Sequence, residues 1–262
     1  MAKSGVDIST HNGTIDFAKL AKEVEFVMIR GGYSETVDEK FIANVEGCIK
    51  NNIPFGVYWF SYALNVDEAF REATFCYNTI NKYNPKYPIA FDWEYDSDAY
   101  FERKMGRKAT NKERVAIADS FCMAIEKLGF KPMLYTNVDY MDSKGFSALA
   151  KKYPIWLAHW GVKTPAYSCK MWQYSSTGRI NGIGGNVDLD RSYFDDDETA
   201  GNKVDTAVKN LDSVFKKYND DYVKIAKDII KGKYGNGSER KSRLKALGYD
   251  YEFAQAIVNA IL

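Results

Sequence analysis

Pro88-Ile89-Ala90-Phe91-Asp92-Trp93-Glu94-Tyr95 is an apolar run that ends by placing two carboxylates two residues apart. Side chains alternate faces along a strand, so Asp92 and Glu94 share one face while Ile89, Phe91, Trp93 and Tyr95 share the other. Two acids on a largely apolar strand are costly to bury unless something uses them. One use is to split the pair into an acid and a base or stabiliser. The plainer alternative is a strand end that has reached solvent, where Asp and Glu are ordinary.

Seven further strand-like runs surround this one: 5–9, 26–30, 54–62, 131–137, 154–160, 169–175 and 187–192. Helix-like patterns cover 16–23, 38–52, 66–83 and 111–128, with a shorter one over 139–152. After Trp160 the gaps become loops of Gly, Ser, Thr and Asn. Strand–helix alternation argues for parallel βαβ units, and eight strands in about 200 residues favour an α/β barrel of the TIM type with its last helices lost. A doubly wound sheet is the alternative architecture. In a barrel, reactive groups gather at the C-terminal ends of the strands. Asp92 and Glu94 end the fourth strand, Asp7 lies near the end of the first, and Asp188 lies in the eighth. The first and last strands of a closed barrel are neighbours, so Asp7 and Asp188 should meet, facing Asp92 and Glu94 across the mouth.

The chain has 262 residues, 45% hydrophobic and 27% charged, with a formal net charge of +1. It reads as globular, with no basic excess to suggest a nucleic-acid partner and no 18-residue apolar span to suggest a membrane. From Lys203 on, 12 Lys and Arg face 8 Asp and Glu, a mildly basic tail that suits an anionic surface such as a bacterial wall. Cys48, Cys76, Cys122 and Cys169 show no C-x-x-C spacing, and His11 and His159 lie far apart, so neither a metal site nor a redox pair is expected. No cofactor is expected either. Met1-Ala2-Lys3-Ser4-Gly5 runs straight into the first strand without a signal peptide, which implies synthesis in a host cytoplasm and later release to the wall.

Asp195-Asp196-Asp197-Glu198 marks a boundary, dividing the chain into a barrel (1–197), a linker (198–220) and a small module (221–262). In the linker, Val204, Val208, Leu211, Phe215 and Tyr218 form one helical stripe, which either packs on its own chain or lets helix 204–218 self-associate into a homo-oligomer. The module reads as three short helices around the turn Gly232-Lys233-Tyr234-Gly235-Asn236-Gly237. So small a unit suits binding better than catalysis.

Gly5-Val6-Asp7-Ile8-Ser9, Gly13-Thr14-Ile15-Asp16-Phe17, Phe26–Gly31, Gly56-Val57-Tyr58, Phe91-Asp92-Trp93-Glu94, Leu134-Tyr135-Thr136, Trp156-Leu157-Ala158, Trp172-Gln173-Tyr174 and Asn186-Val187-Asp188-Leu189 occur in order. Together they resemble the glycoside hydrolase family 25 lysozymes, the N-acetylmuramidases, over roughly residues 4–195. The tail, through Ile225-Ala226-Lys227, the 232–237 turn, Glu239-Arg240-Lys241, Leu244, Gly248-Tyr249-Asp250-Tyr251 and Val258-Asn259, resembles a cell-wall-binding repeat of phage lysins. The resemblance implies a flattened barrel of five β/α units followed by three strands, and cleavage of the β-1,4 bond between N-acetylmuramic acid and N-acetylglucosamine in bacterial peptidoglycan with retained configuration. It makes Glu94 the acid and Asp92, Asp7 and Asp188 its carboxylate partners. Asp190 departs from the family pattern, which more often has Asn there; Asp188 is the favoured member of that pair.

Side chains two apart on a strand start roughly 6–7 Å apart, so the carboxyls could sit in either the nucleophile or the water-activating geometry. A third route lets the substrate's own acetamido oxygen attack while Asp92 orients it. Like charge on Asp92, Asp7 and Asp188, with apolar neighbours, should raise Glu94. Tyr58, Tyr62, Tyr135, Trp156 and Trp160 are the candidate sugar platform, and Arg30 and Gln173 the candidate polar contacts. Each aromatic taken alone is more often core than ligand-facing, with the better case for Tyr58, Tyr135 and Trp156, which fall in the family motifs; Arg30 could be a plain ion pair. Arg240, Arg243, Tyr251 and Gln255 are the candidate wall contacts of the module, against a solvated helix face for the arginines. The strand is also similar to that of the chitinase-like family 18, D-x-x-D-x-D-x-E, but Tyr87 and Ala90 stand where that signature needs acids. A catalytically dead wall-binding barrel is the non-enzyme alternative.

Overall fold

The computed structural model describes residues 2–195, 198, 224–247, 249, 251, 254, 255 and 258. The strands are β1 (Lys3–Ile8), β2 (Phe26–Tyr33), β3 (Thr36–Val37), β4 (Phe55–Phe60), β5 (Ile89–Asp92), β6 (Pro132–Asn137), β7 (Ile155–Ala158), β8 (Met171–Gly178) and β9 (Val187–Ser192). They hydrogen-bond in the order β1-β9-β8-β7-β6-β5-β4-β2, and β1 pairs with β2 to close the ring. The eight expected strands therefore form the eight staves of a barrel. β3 is a short ninth strand, hairpinned onto the end of β2.

Helices α1 (Phe17–Leu20), α2 (Phe41–Lys50), α3 (Val66–Ile80), α4 (Tyr95–Met105), α5 (Asn111–Lys127) and α6 (Val138–Asp142) supply the crossovers as far as β7. Where they exist the staves run parallel. β7 and β8 stay parallel across a long helix-free loop. β9 is antiparallel to both β8 and β1, which departs from an all-parallel reading. The reason is chain length: the short Arg179–Asn186 link carries no helix, and a short link can return only as a hairpin. This reversal brings the N-terminal end of β9, with Asp188, to the mouth.

The barrel interior is plugged by Phe26, Met28, Tyr87, Ala90, Met133, Trp156 and Met171, and the helices seal the outside through Val27, Ile29, Val57, Phe91, Phe121 and Ile125, all buried. Tyr87 stacks on Phe26 at 4.8 Å between ring centroids. The two positions that fail the longer family 18 signature are thus occupied by barrel core.

Two boundaries differ from the sequence expectation. β5 stops at Asp92 rather than Tyr95, and Glu94 is the N-cap of α4, which the periodicity did not suggest. The signal for α4 lies in its charges: Asp96 and Asp98 in the first turn, Arg103 and Lys104 in the last, and a left-handed Gly106 closing it. Glu94 nevertheless keeps extended backbone (φ −127°, ψ −169°), so the side-by-side logic carries one step beyond the strand. Tyr62 and Trp160 similarly lie past the ends of β4 and β7.

Of the tail, residues 224–230 and Gly237–Ala246 are helical, with Ile225, Ala226, Ile229, Leu244, Ala254 and Val258 buried. The 204–218 stripe lies outside the described residues. No helix among those described is long and apolar enough to cross a membrane.

Candidate active site

Asp7 and Asp188 are register partners across the β1–β9 ladder. Direct cross-strand neighbours stand about 5 Å apart at Cα, so the pair meets as expected. Asp92 arrives from the end of β5, and Glu94 follows it at the entrance to α4. These four acids, with Arg30, Tyr58, Tyr135, Trp156 and Gln173, line one cavity of about 290 Å³ at the mouth of the barrel. Tyr62 lines the next cavity along, and Trp160 stands at the rim, 52% exposed. Ser9, His11, Asn12, Phe60, Ser176 and Asn186 also line the mouth and were not singled out as site residues. Ser9 and Asn186 lie in loops and His11 and Asn12 in a short 3-10 turn, which carry no periodic signal; Phe60 ends β4 and Ser176 lies in β8, where alternation alone does not say which strand residues reach the mouth.

The segment bearing the acids is pinned from several sides. Trp93 Nε1 donates to Asp98 Oδ1 at 3.2 Å, Arg114 Nε to the same oxygen at 2.7 Å, and Tyr140 OH to Asp98 Oδ2 at 2.8 Å. Asp98 thus ties the strand end to α5 and α6. Ser61 N–H donates to the Asp92 carbonyl at 2.8 Å, and buried Glu72 accepts from Ser61 Oγ (2.6 Å) and Tyr62 N–H (3.0 Å). Arg30 is an ion pair after all, Nε to Asp38 Oδ2 at 2.7 Å. It still lines the cavity, and its charge is the one lowering influence on Asp92. A bulge between Arg30 and Gly32 turns the end of β2, and a side chain would clash with Val57 at Gly31 and with the Thr36 carbonyl and Trp59 at Gly32.

Burial pushes Glu94 up to about 7, with the charges of Asp188 and Asp96 adding to it. The expectation of a raised acid holds, but burial leads, and the like charges that act on it are Asp188 and Asp96 rather than Asp92 and Asp7. Asp92 is raised well above the carboxylate range, by burial first and then by Glu94, and its Oδ1 is buried with no hydrogen-bond partner among the described residues. Asp7 is raised by burial and then by Asp190 and Asp188. Gln173 Nε2 donates to Asp7 Oδ2 at 2.7 Å, while Tyr135 OH and Trp160 Nε1 both donate to Gln173 Oε1 at 3.0 Å. These aromatics therefore hold the acids as well as wall the cavity, and Tyr58 and Tyr135 each set an edge against Trp156.

Asp190 sits one strand step below Asp188, fully buried. Trp156 Nε1 donates to its Oδ1 at 2.8 Å, but Oδ2 meets no donor among the described residues. Its carboxyl faces that of Asp7, with Asp188 nearby, and two buried carboxyls attract only if one carries a proton. Burial pushes Asp190 up to about 8 against the lowering hydrogen bonds of Trp156 and Asp7, with the charge of Asp188 adding to the rise. A carboxyl raised on folding stabilises fully below its unfolded value and loses that stabilisation as pH rises to the folded one. Asn supplies the same shape and an N–H without titrating. Asp190→Asn should therefore gain thermal stability over the wild type progressively from pH 4 to 8, by on the order of a few kcal/mol at the upper end. Melting curves across that range check this; a difference that does not change with pH contradicts it.

In the tail, Arg240 is committed to the module's own structure. Its guanidinium donates to the Gly235 carbonyl (3.0 Å), Gln255 Oε1 (2.8 Å) and Asn236 Oδ1 (2.8 Å). Arg243 pairs with Glu239 at 2.6 Å on an exposed face, and Lys241 lies over the Tyr251 ring. Arg240 and Gln255 thus clamp the turn to the last helical segment, while Arg243 and Tyr251 remain at the surface or partly so.

The profile of glycosyl hydrolases family 25 matches residues 6–183, and that of the CW_7 repeat matches residues 224–262. Lysozyme M1 of Streptomyces globisporus is 24% identical over 199 residues, which cover 71% of this chain and 66% of that protein. A lysozyme of Streptococcus phage Cp-7 is 22% identical over 275 residues, covering 98% of this chain and 69% of that one. Among solved structures, the modular autolysin LytC of Streptococcus pneumoniae, in complex with a synthetic peptidoglycan ligand, superposes with a TM-score of 0.64 at 29% identity, covering 73% of this chain and 47% of LytC. The chain thus spans about two thirds of the two lysozymes and less than half of LytC. With that profile matching more than half of the chain, from β1 through β8, and acids on β1, β5 and β9 meeting at the barrel mouth, the chain belongs to glycosyl hydrolases family 25.

Proposed function

We propose that the chain is a peptidoglycan hydrolase, cleaving the β-1,4 bond from N-acetylmuramic acid to N-acetylglucosamine with Glu94 as general acid. The observation that carries this is a carboxyl held at about 7 on the wall of a mouth lined by three more acids. Such a group is about half protonated at neutrality, more so below it, and can give its proton to a leaving glycosidic oxygen. Asp188, less buried than Asp7 or Asp92, supplies negative potential for the oxocarbenium-like centre that forms. Loss of turbidity in a suspension of Gram-positive walls tests the activity; intact walls after prolonged incubation with folded protein would refute it.

Asp92 acts on the substrate's acetamido group, which attacks its own anomeric carbon with retention of configuration. The buried, unpartnered Oδ1 supports this route, because an acetamido N–H would satisfy it. Burial and the charge of Glu94 hold Asp92 above the usual carboxylate range, which disfavours it as a nucleophile. The four intact acids argue against a non-catalytic barrel.

The CW_7 match and the phage Cp-7 relative support wall docking by residues 224–262, as in an endolysin that reaches the wall after release from the host cytoplasm. Linked binding units gain from effective concentration, so self-association through residues 204–218 would raise the wall affinity of a chain with one repeat. Nucleic acid and membrane have no part in this scheme.

A further inference from the structure

The mouth does not end at the acids. The 290 Å³ cavity shares His11, Arg30 and Phe60 with a second of about 440 Å³, and this shares Tyr33, Tyr62 and Asp96 with a third of about 480 Å³. The third is walled by Tyr33, Tyr62 and Tyr100 and flanked by Asp96 and Arg103 from α4. Tyr62 and Tyr100 tilt together at 4.9 Å, and Tyr33 stands edge-on to Tyr62 at 6.3 Å. The result is one continuous trough running from Glu94 over the ends of β2 and β4 to the exposed face of α4.

Two charges distinguish the far end of that trough. Arg103 is exposed and its guanidinium carbon lies 5.4 Å from the Tyr100 ring centroid, but it pairs with no carboxylate among the described residues. Asp96 is likewise exposed and unpaired with any cation among them. Sugar hydroxyls can bond to either charge, but a neutral sugar does not require a free cation and a free anion on either side of an aromatic floor. A short peptide carrying both carboxylates and a primary amine does. The muramoyl sugar of peptidoglycan bears such a stem peptide.

We propose that the third cavity is a stem-peptide site: Arg103 takes a peptide carboxylate, Asp96 faces the peptide amine, and Tyr62 and Tyr100 floor the chain between them. Substrate choice then depends on the peptide as well as on the glycan. This rests on the reading of the barrel as a peptidoglycan hydrolase. Glu72 belongs to the same device, because it holds the backbone of Tyr62 in place.

The experiment compares full-length wild type and Arg103→Ala on two substrates: intact walls, and the same walls stripped of stem peptides by an N-acetylmuramoyl-L-alanine amidase. An exposed charge pair is a modest contributor, so kcat/KM on intact walls should fall about fivefold in Arg103→Ala, mostly through KM. On stripped glycan the two proteins should be equal, and Arg103→Lys should recover part of the loss on intact walls. Equal rates for Arg103→Ala and wild type on intact walls would overturn the proposal. So would the same loss on both substrates, which would make the cavity a sugar subsite. If wild type cleaves neither substrate, the failure lies in the hydrolase reading instead.

Discussion

Glu94→Gln is expected to reduce wall hydrolysis by about 10³-fold while leaving the barrel folded. The leaving oxygen of a glycoside is a poor departing group without a proton, and Glu94 is the acid in the mouth that is raised to about 7 while still only half-buried. Gln has nearly the same shape and no proton to give. Because Glu94 is largely neutral below pH 7, the exchange should cost little stability there, and circular dichroism and the melting temperature at pH 6 should match the wild type. The same value fixes the pH dependence: wild-type activity should decline as pH rises through about 7, since the ionised form cannot act as the acid. Turbidity assays between pH 5 and 9 check both statements. Substantial activity in Glu94→Gln, or wild-type activity that climbs steadily to pH 9, would remove Glu94 from its role.

Asp92→Asn is expected to cost about 10²–10³ in kcat, with KM little changed, because Asn still accepts the acetamido N–H in the ground state but cannot carry the negative charge that stabilises the acetamido group as it turns cationic in the transition state. The wild type under turnover should show no sugar-bearing form of Asp92 when quenched in acid and mapped by mass spectrometry. A glycosyl ester on Asp92 would replace the substrate-assisted route with a nucleophilic one and leave Glu94 untouched. The two predictions therefore separate the identity of the acid from the path of the reaction.

The barrel was legible because its determinants are local. Each stave is a short apolar run bounded by turn residues, and the thinning of helices after Trp160 follows directly from the Gly, Ser, Thr and Asn content of the gaps. Asp7, Asp92 and Asp188 could be placed because strand ends in a barrel have known neighbours. The reversal of β9 was not legible, because direction depends on how the Arg179–Asn186 link closes in space. Helix α4 was missed because its face toward the core is narrow, only Ser97 and Phe101 being buried, and the apolar strand before it drew Tyr95 into its own pattern. The role of Asp190 was beyond sequence reach: alternation puts it on the face of Asp188, but only the packed structure shows Trp156 on one oxygen and, among the described residues, no donor on the other. Arg240 was a reasonable surface candidate on a polar helix, and its turn toward Gly235, Asn236 and Gln255 depends on a fold of the tail that no periodicity encodes.

The central claim is the bond that is cut. Peptidoglycan digested to completion, reduced with borohydride and hydrolysed to its sugars, shows which residue carried the new reducing ends. The account predicts muramitol from N-acetylmuramic acid ends and none of it with Glu94→Gln; glucosaminitol as the main product would contradict it.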